Sequence, residues 1–142
     1  MVENSDEKYL VFTVQDKQYA LPSKIISEVA VLEKVFPLPL VPGYVRGIIN
    51  RYSVPYALID INFLFLKDAS AARKIIVLKE EVDKLAFLID DVIDIADLNP
   101  EQIMKTEQED GSISGFFEWN NNHVLCLDAG ELISRIKQDF QQ

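Results

Sequence analysis

Short apolar runs, broken roughly every eight to twelve positions by polar or turn-forming residues, dominate the chain. Tyr9 to Val14 (YLVFTV) is rich in β-formers, Gln15-Asp16-Lys17 turns, and Gln18 to Leu21 returns as a second strand. Pro22-Ser23 starts a brief helical turn over Ser23 to Ile25, and Ile26 to Leu32 reads as a strand with Glu28 set among aliphatics. Pro37, Pro39 and Pro42 make 36–42 a stiffened loop. Asn62 to Lys67 is a helical turn or a strand end, and the small polar stretch DASAA at 68–72 reads as a hinge between halves. Lys74 to Lys79 and Lys84 to Ile89 are buried strands across a charged turn, and Asp90 to Ile95 continues with alternating acids and aliphatics. Asn99-Pro100 turns into Ile103-Met104, and Glu107 to Ser112 is an acidic loop. Ile113 to Trp119 and His123 to Leu127 form a last hairpin, after which Asp128 caps a helix from about Ala129 to Lys137. Many short strands at this spacing predict a β-barrel or sandwich rather than a doubly wound sheet.

The stretch from Val41 to Ile61 is the most informative. Two apolar runs flank a polar knot, Asn50-Arg51-Tyr52-Ser53, which predicts a hairpin or bent ribbon. In an extended first run, Arg46, Ile48, Asn50 and Tyr52 share one face, and Gly47, Ile49 and Arg51 the other. Gly47 admits close approach of another backbone, and Pro55 belongs at an edge, bulge or strand start.

Composition narrows the partners. The 142 residues predict one compact unit, with 49% hydrophobic residues enough for a core. A net charge of −9 argues against nucleic acid and against anionic membrane surfaces. The polar N-terminus is unlike a signal peptide, and no apolar run approaches the ~20 residues of a membrane helix. A single cysteine, Cys126, excludes an internal disulfide and suits a cytoplasmic location.

Candidate chemistry is sparse. Asp90, Asp91 and Asp94 suggest a metal or an acid–base pair, but adjacent strand residues point to opposite faces, which favours solvated or turn-capping acids. His123 and Cys126, three apart on a strand, also face opposite ways, so the only histidine does not serve the only cysteine. No phosphate loop or nucleophile elbow is present. Phe117 and Trp119 share strand parity, and either they or Phe116 belong to the core. The expectation is no catalytic residue, no metal and no cofactor.

The run Gly47-Ile48-Ile49-Asn50, with Asp60 ten residues after Asn50 in Leu58-Ile59-Asp60-Ile61, resembles the central signature of the CheW family of chemotaxis coupling proteins. That signature typically reads Gly-x-x-Asn-Leu-Arg-Gly-x-x-x-Pro-x-x-Asp-Leu. Gly47, Asn50, Val54, Asp60 and Ile61 fit it, whereas Arg51, Tyr52, Ser53 and Ala57 stand where the family usually has Leu, Arg, Gly and Pro. LAFLIDDVIDIADLNPEQI, Ser114-Gly115 and VLCLDAGELI resemble further family blocks in the same order, and Glu28 lies 22 residues before Asn50 as the family's acidic position does.

The resemblance implies a mainly β fold of two intertwined five-stranded SH3-like barrels, with short helices and a C-terminal helix. It implies a single domain over 1–142, with 1–7 flexible and two barrel subdomains. It also implies a non-catalytic adaptor that couples the cytoplasmic hairpin tip of chemoreceptors to the regulatory domain of a CheA-type histidine kinase. Alternatives are a structural subunit of signalling arrays, or of a non-chemotactic pathway, that binds the kinase without receptors, and, more remotely, a small hydrolytic enzyme. The resemblance assigns partner contacts to Ile26, Glu28 and Val29 and to Arg46, Gly47, Ile48, Asn50, Arg51 and Tyr52. The family arginine expected at 52 is a bidentate donor suited to Glu28 or a receptor carboxylate. Tyr52 lacks its charge, strand alternation points Arg51 the other way, and Arg46 is about 20 Å along the strand. Ser53 in place of Gly restricts the backbone if φ is positive there. The expected consequence is altered or lost receptor coupling.

Overall fold

The computed structural model describes residues 6–106 and 111–140. In chain order the strands are β1 (Glu7–Val14), β2 (Lys17–Pro22), β3 (Ile26–Val31), β4 (Val45–Arg51) and β5 (Val54–Asp60). Helix α1 (Ile61–Leu66) follows, then β6 (Lys74–Leu78), β7 (Leu85–Ile89), β8 (Asp91–Leu98), β9 (Met104–Lys105), β10 (Ile113–Trp119) and β11 (Asn122–Leu127). Helix α2 (Ala129–Phe140) comes last. Short 3₁₀ turns occupy Ser23–Ile25 and Pro100–Gln102. The first five residues of the stretch expected to be flexible, and 107–110 of the expected acidic loop, lie outside the described residues; Glu7 opens β1.

The chain forms two compact units. One comprises the chain up to Lys24 and from Val92 onward, and the other is Ile25–Asp91. The 68–72 stretch, expected as a hinge between halves, lies inside the second unit, because its backbone is tied to Asp60 as described below.

In the first unit the sheet order is β8-β1-β2-β11-β10-β9, with β2 and β11 parallel. Its sixth strand, beyond the five expected, is the two-residue β9 at the edge of β10. Val11, Ala20, Ala96, Leu98, Phe117, Val124 and Cys126 form its buried core, with Trp119 packed against them. The β10–β11 turn is Asn120-Asn121, both at positive φ, the conformation that asparagine tolerates best after glycine. Leu132 and Ile136 bury one stripe of α2.

In the second unit the order is β3-β6-β7-β5-β4, with β5 and β7 parallel. Alternate residues Ile49, Tyr56, Leu58, Ile75, Val77, Ala86 and Leu88 fill the core. The edge strands β3 and β4 are neighbours in neither order nor ladder. They nonetheless meet through side chains, and this meeting positions the candidate site.

Candidate functional site

The β4–β5 hairpin turns through two residues, Tyr52 and Ser53, at φ of 54° and 67°. This left-handed pair is the geometry of a type I′ turn, in which Asn and Gly are favoured and a tyrosine is strained. Tyr52 is 85% exposed. Because residue 52 has left the strand, its side chain no longer follows strand parity.

Arg51, the last residue of β4, reaches Glu28 on β3. Its Nε donates to Glu28 Oε2 at 3.1 Å and its Nη2 to Oε1 at 2.8 Å. Both side chains are about three-quarters buried, with 20% and 24% exposed. The expectation that Arg51 points away from Glu28 is therefore corrected. The edge strands approach each other at this end, and the long guanidinium spans the remaining gap. Hydrogen bonding to Glu28 raises the Arg51 guanidinium above its usual value, so it stays charged. The Tyr52 ring lies 5.5 Å from the Arg51 guanidinium carbon, within cation–π range.

Around this clasp lies exposed apolar surface. Val31 at the end of β3 is 62% exposed, and Phe36 is 43% exposed under the Lys34 ammonium; Val29, 41% exposed, alternates with Glu28 and so faces the other side of β3. A cavity of about 220 Å³ is lined by Val31, Phe36, Ile49, Asn50 and Arg51 among others. Asn50 is exposed, and Ile26 is half-buried at the start of β3.

Two of the sequence-selected residues go elsewhere. Arg46 is the extra residue of a register shift between Val45 and Gly47, a bulge that re-aims its side chain. Its Nε and Nη2 donate to Asp60 Oδ2 at 3.0 and 2.8 Å, and Nη2 also donates to the Ser70 carbonyl at 3.1 Å. Asp60 is fully buried; Oδ1 caps α1 by accepting from the Phe63 amide, and Oδ2 accepts from the Ser70 amide. Arg46 therefore fastens the unit internally. Gly47, at φ 142°, lets the 35–37 segment against β4: an added Cβ would lie 2.3 Å from the Phe36 carbonyl oxygen. Phe36 and Ile48 exchange two backbone hydrogen bonds, each 2.8 Å. The close approach expected at Gly47 is thus made by the chain's own backbone.

The structure thus groups Glu28, Asn50, Arg51 and Tyr52, does not bring Val29 to them, and adds Val31 and Phe36, which sequence reasoning left out. Both were readable as apolar residues of a strand and loop, and only their exposure sets them apart. Asp60 was also missed as the anchor of Arg46, although its position three residues before Phe63 is a capping signal.

The other sequence candidates are occupied locally. Asp91 pairs with Lys74 at 2.6 Å, Asp94 accepts from Trp119 Nε1 at 3.0 Å, and His123 Nδ1 lies 2.8 Å from Glu118. Burial pushes the Cys126 thiol up to about 11, which leaves it protonated and unreactive at neutral pH. Among the described residues no three His, Cys, Asp or Glu side chains converge as a metal site requires, and no helix is long and apolar enough to cross a membrane.

Comparison with known proteins bears on this geometry. The model of the CheW-like domain family matches residues 8–137. The chemotaxis protein CheW of Treponema pallidum (strain Nichols) is 24% identical over 144 residues, which cover 92% of this chain and 85% of that protein. The crystal structure of the scaffolding protein TtCheW from Thermoanaerobacter tengcongensis superposes with a TM-score of 0.77 at 18% identity, covering 87% of this chain and 89% of that one. That likeness establishes a shared mainly β, two-sheet fold.

Proposed function

The chain belongs to the CheW-like domain family, and from that premise we propose that it is a non-catalytic scaffold of bacterial chemotaxis signalling. It works in the cytoplasm, where it couples a CheA-type histidine kinase to the hairpin tips of chemoreceptors. The names carried by its relatives, a chemotaxis protein and a scaffolding protein, support the class.

The observation that carries the reading is the Glu28–Arg51 clasp with its exposed apolar border of Val31, Phe36 and Tyr52. Apolar groups around a satisfied ion pair suit a protein-binding patch, because the apolar rim excludes water and the pair leaves no charge unpaired. The second unit holds nine acidic and eight basic side chains, so nearly all of the net −9 lies in the first. The patch therefore presents little net charge, and it suits an apolar helical surface better than a basic one. Arg51 supplies the bidentate donor that the family signature places one residue later. The departure at 52 is then a relocation of the arginine, and it leaves an aromatic at the tip.

Titration of the purified protein with the kinase regulatory domain, and of that complex with a receptor hairpin fragment, tests the reading. Saturable binding to both supports the coupling role. Binding to the kinase domain alone reassigns the chain to a structural place in arrays, and binding to neither overturns the scaffold assignment.

A further inference from the structure

The 34–37 segment separates two cavities. Lys34 and Phe36 face the one beside the clasp, and their alternates Val35 and Pro37 line a second, of about 350 Å³. The floor of the second cavity is Leu32, Leu58 and Leu88, buried members of the core cluster. It is thus an open apolar hollow seated on the core, with Leu58 fully covered beneath it. Its opposite wall is the small-residue run Ser70-Ala71-Ala72.

Two guanidiniums line this cavity, and they are not equivalent. Arg46 is neutralised by Asp60 and also bonded to the Ser70 carbonyl. Arg73 is exposed and donates one N–H to the Leu32 carbonyl at 3.1 Å; among the described residues no carboxylate lies within ion-pairing distance of it. An apolar hollow with one uncompensated, fork-shaped donor at its edge has the composition of a site for an amphiphilic anion.

We propose that this cavity binds a small arylaliphatic or branched aliphatic monocarboxylate, its carboxylate on Arg73 and its apolar body against Leu32, Val35 and Leu88. One free guanidinium matches one negative charge. The volume sits at the low end of the ~300–1,000 Å³ usual for small-molecule sites, which suits one ring with a short chain. The site is independent of the scaffold reading.

The test is titration of the full chain, methyl-labelled at leucine, with 4-phenylbutyrate and with its uncharged amide, 4-phenylbutyramide, read by two-dimensional NMR. The acid is expected to shift the Leu32 and Leu88 methyl resonances saturably and to bind about tenfold or more tightly than the amide, the strength of one charge-assisted pair. Arg73→Gln should bring the acid down to the amide's affinity while leaving the amide unchanged, which guards against a merely misfolded variant. Ala72→Phe should abolish both. Equal affinities for acid and amide, shifts confined to other leucines, or no shifts at the solubility limit would each overturn the proposal.

Discussion

Arg51 meets both oxygens of Glu28 in a two-point pair that joins β4 to β3, the two edge strands of the five-stranded sheet. With roughly a fifth of each side chain exposed, removing one partner leaves the other largely desolvated. Arg51→Leu, which installs the residue typical of the family signature, is expected to cost about 1–3 kcal/mol. In a double-mutant cycle with Glu28→Gln, a coupling energy near zero by urea denaturation would show that the pair contributes nothing.

The β4–β5 turn invites a gain. Tyr52 and Ser53 both occupy left-handed backbone, whereas the β10–β11 turn meets the same demand with Asn120 and Asn121. Ser53→Gly and Tyr52→Asn should each raise the unfolding free energy by about 0.5–1 kcal/mol, since the strain of a side chain at positive φ is relieved. Thermal and urea unfolding of the two variants measures this directly.

At Gly47 the expected change is a loss. A methyl group would strike the Phe36 carbonyl, and φ of 142° is unfavourable for any L side chain. Gly47→Ala should destabilise by about 2–4 kcal/mol and break the paired amides of Phe36 and Ile48. Hydrogen exchange at those two amides, compared with that of Ile76 in the sheet centre, separates local opening from global loss.

These three cases mark where sequence reading succeeded and where it stopped. Short β-forming apolar runs bounded by turn residues made the strands from Tyr9 to Leu127 legible, and Asp128 before an amphipathic stretch made α2 legible, because such signals are local. The positive φ that Ser53 would have to bear was anticipated as a condition and is met. The Arg51–Glu28 pair was not legible, since it depends on how two edge strands far apart in sequence approach. Parity also misled at Tyr52, which belongs to the turn, and at Arg46, which a bulge redirects onto Asp60. Bulges and turns are where a rule of two fails.

In the first unit, Trp119 offers an internal pH reporter. Its indole N–H donates to Asp94, and this bond, with the Ile95 amide, holds the Asp94 carboxyl below the usual aspartate range. A depressed value means that the carboxylate's contribution is present above the ordinary aspartate value and is lost as pH falls through the depressed one. Trp119 is the only tryptophan. Its emission should therefore step at a midpoint below that of an unperturbed aspartate, and Asp94→Asn should remove the step. A midpoint in the ordinary range would mean that the indole bond does not hold in solution.

Tyr52 and Arg51 separate recognition from stability. Arg51 is mostly buried and bonded, so its removal weakens the fold as well as any partner contact. Tyr52 is exposed and strained, and nothing in its local packing rewards an aromatic there apart from the edge of Arg51. On the proposed scaffold reading, that strained and exposed ring contacts the partner. Tyr52→Ala is expected to leave unfolding within about 0.5 kcal/mol of the parent while weakening partner binding about tenfold or more, as loss of an aromatic anchor does. Because the patch is apolar around a closed ion pair, that binding should change little from low to high salt. Unchanged affinity in Tyr52→Ala, or a steep salt dependence in the parent, would move the partner surface away from this hairpin and toward the acidic first unit.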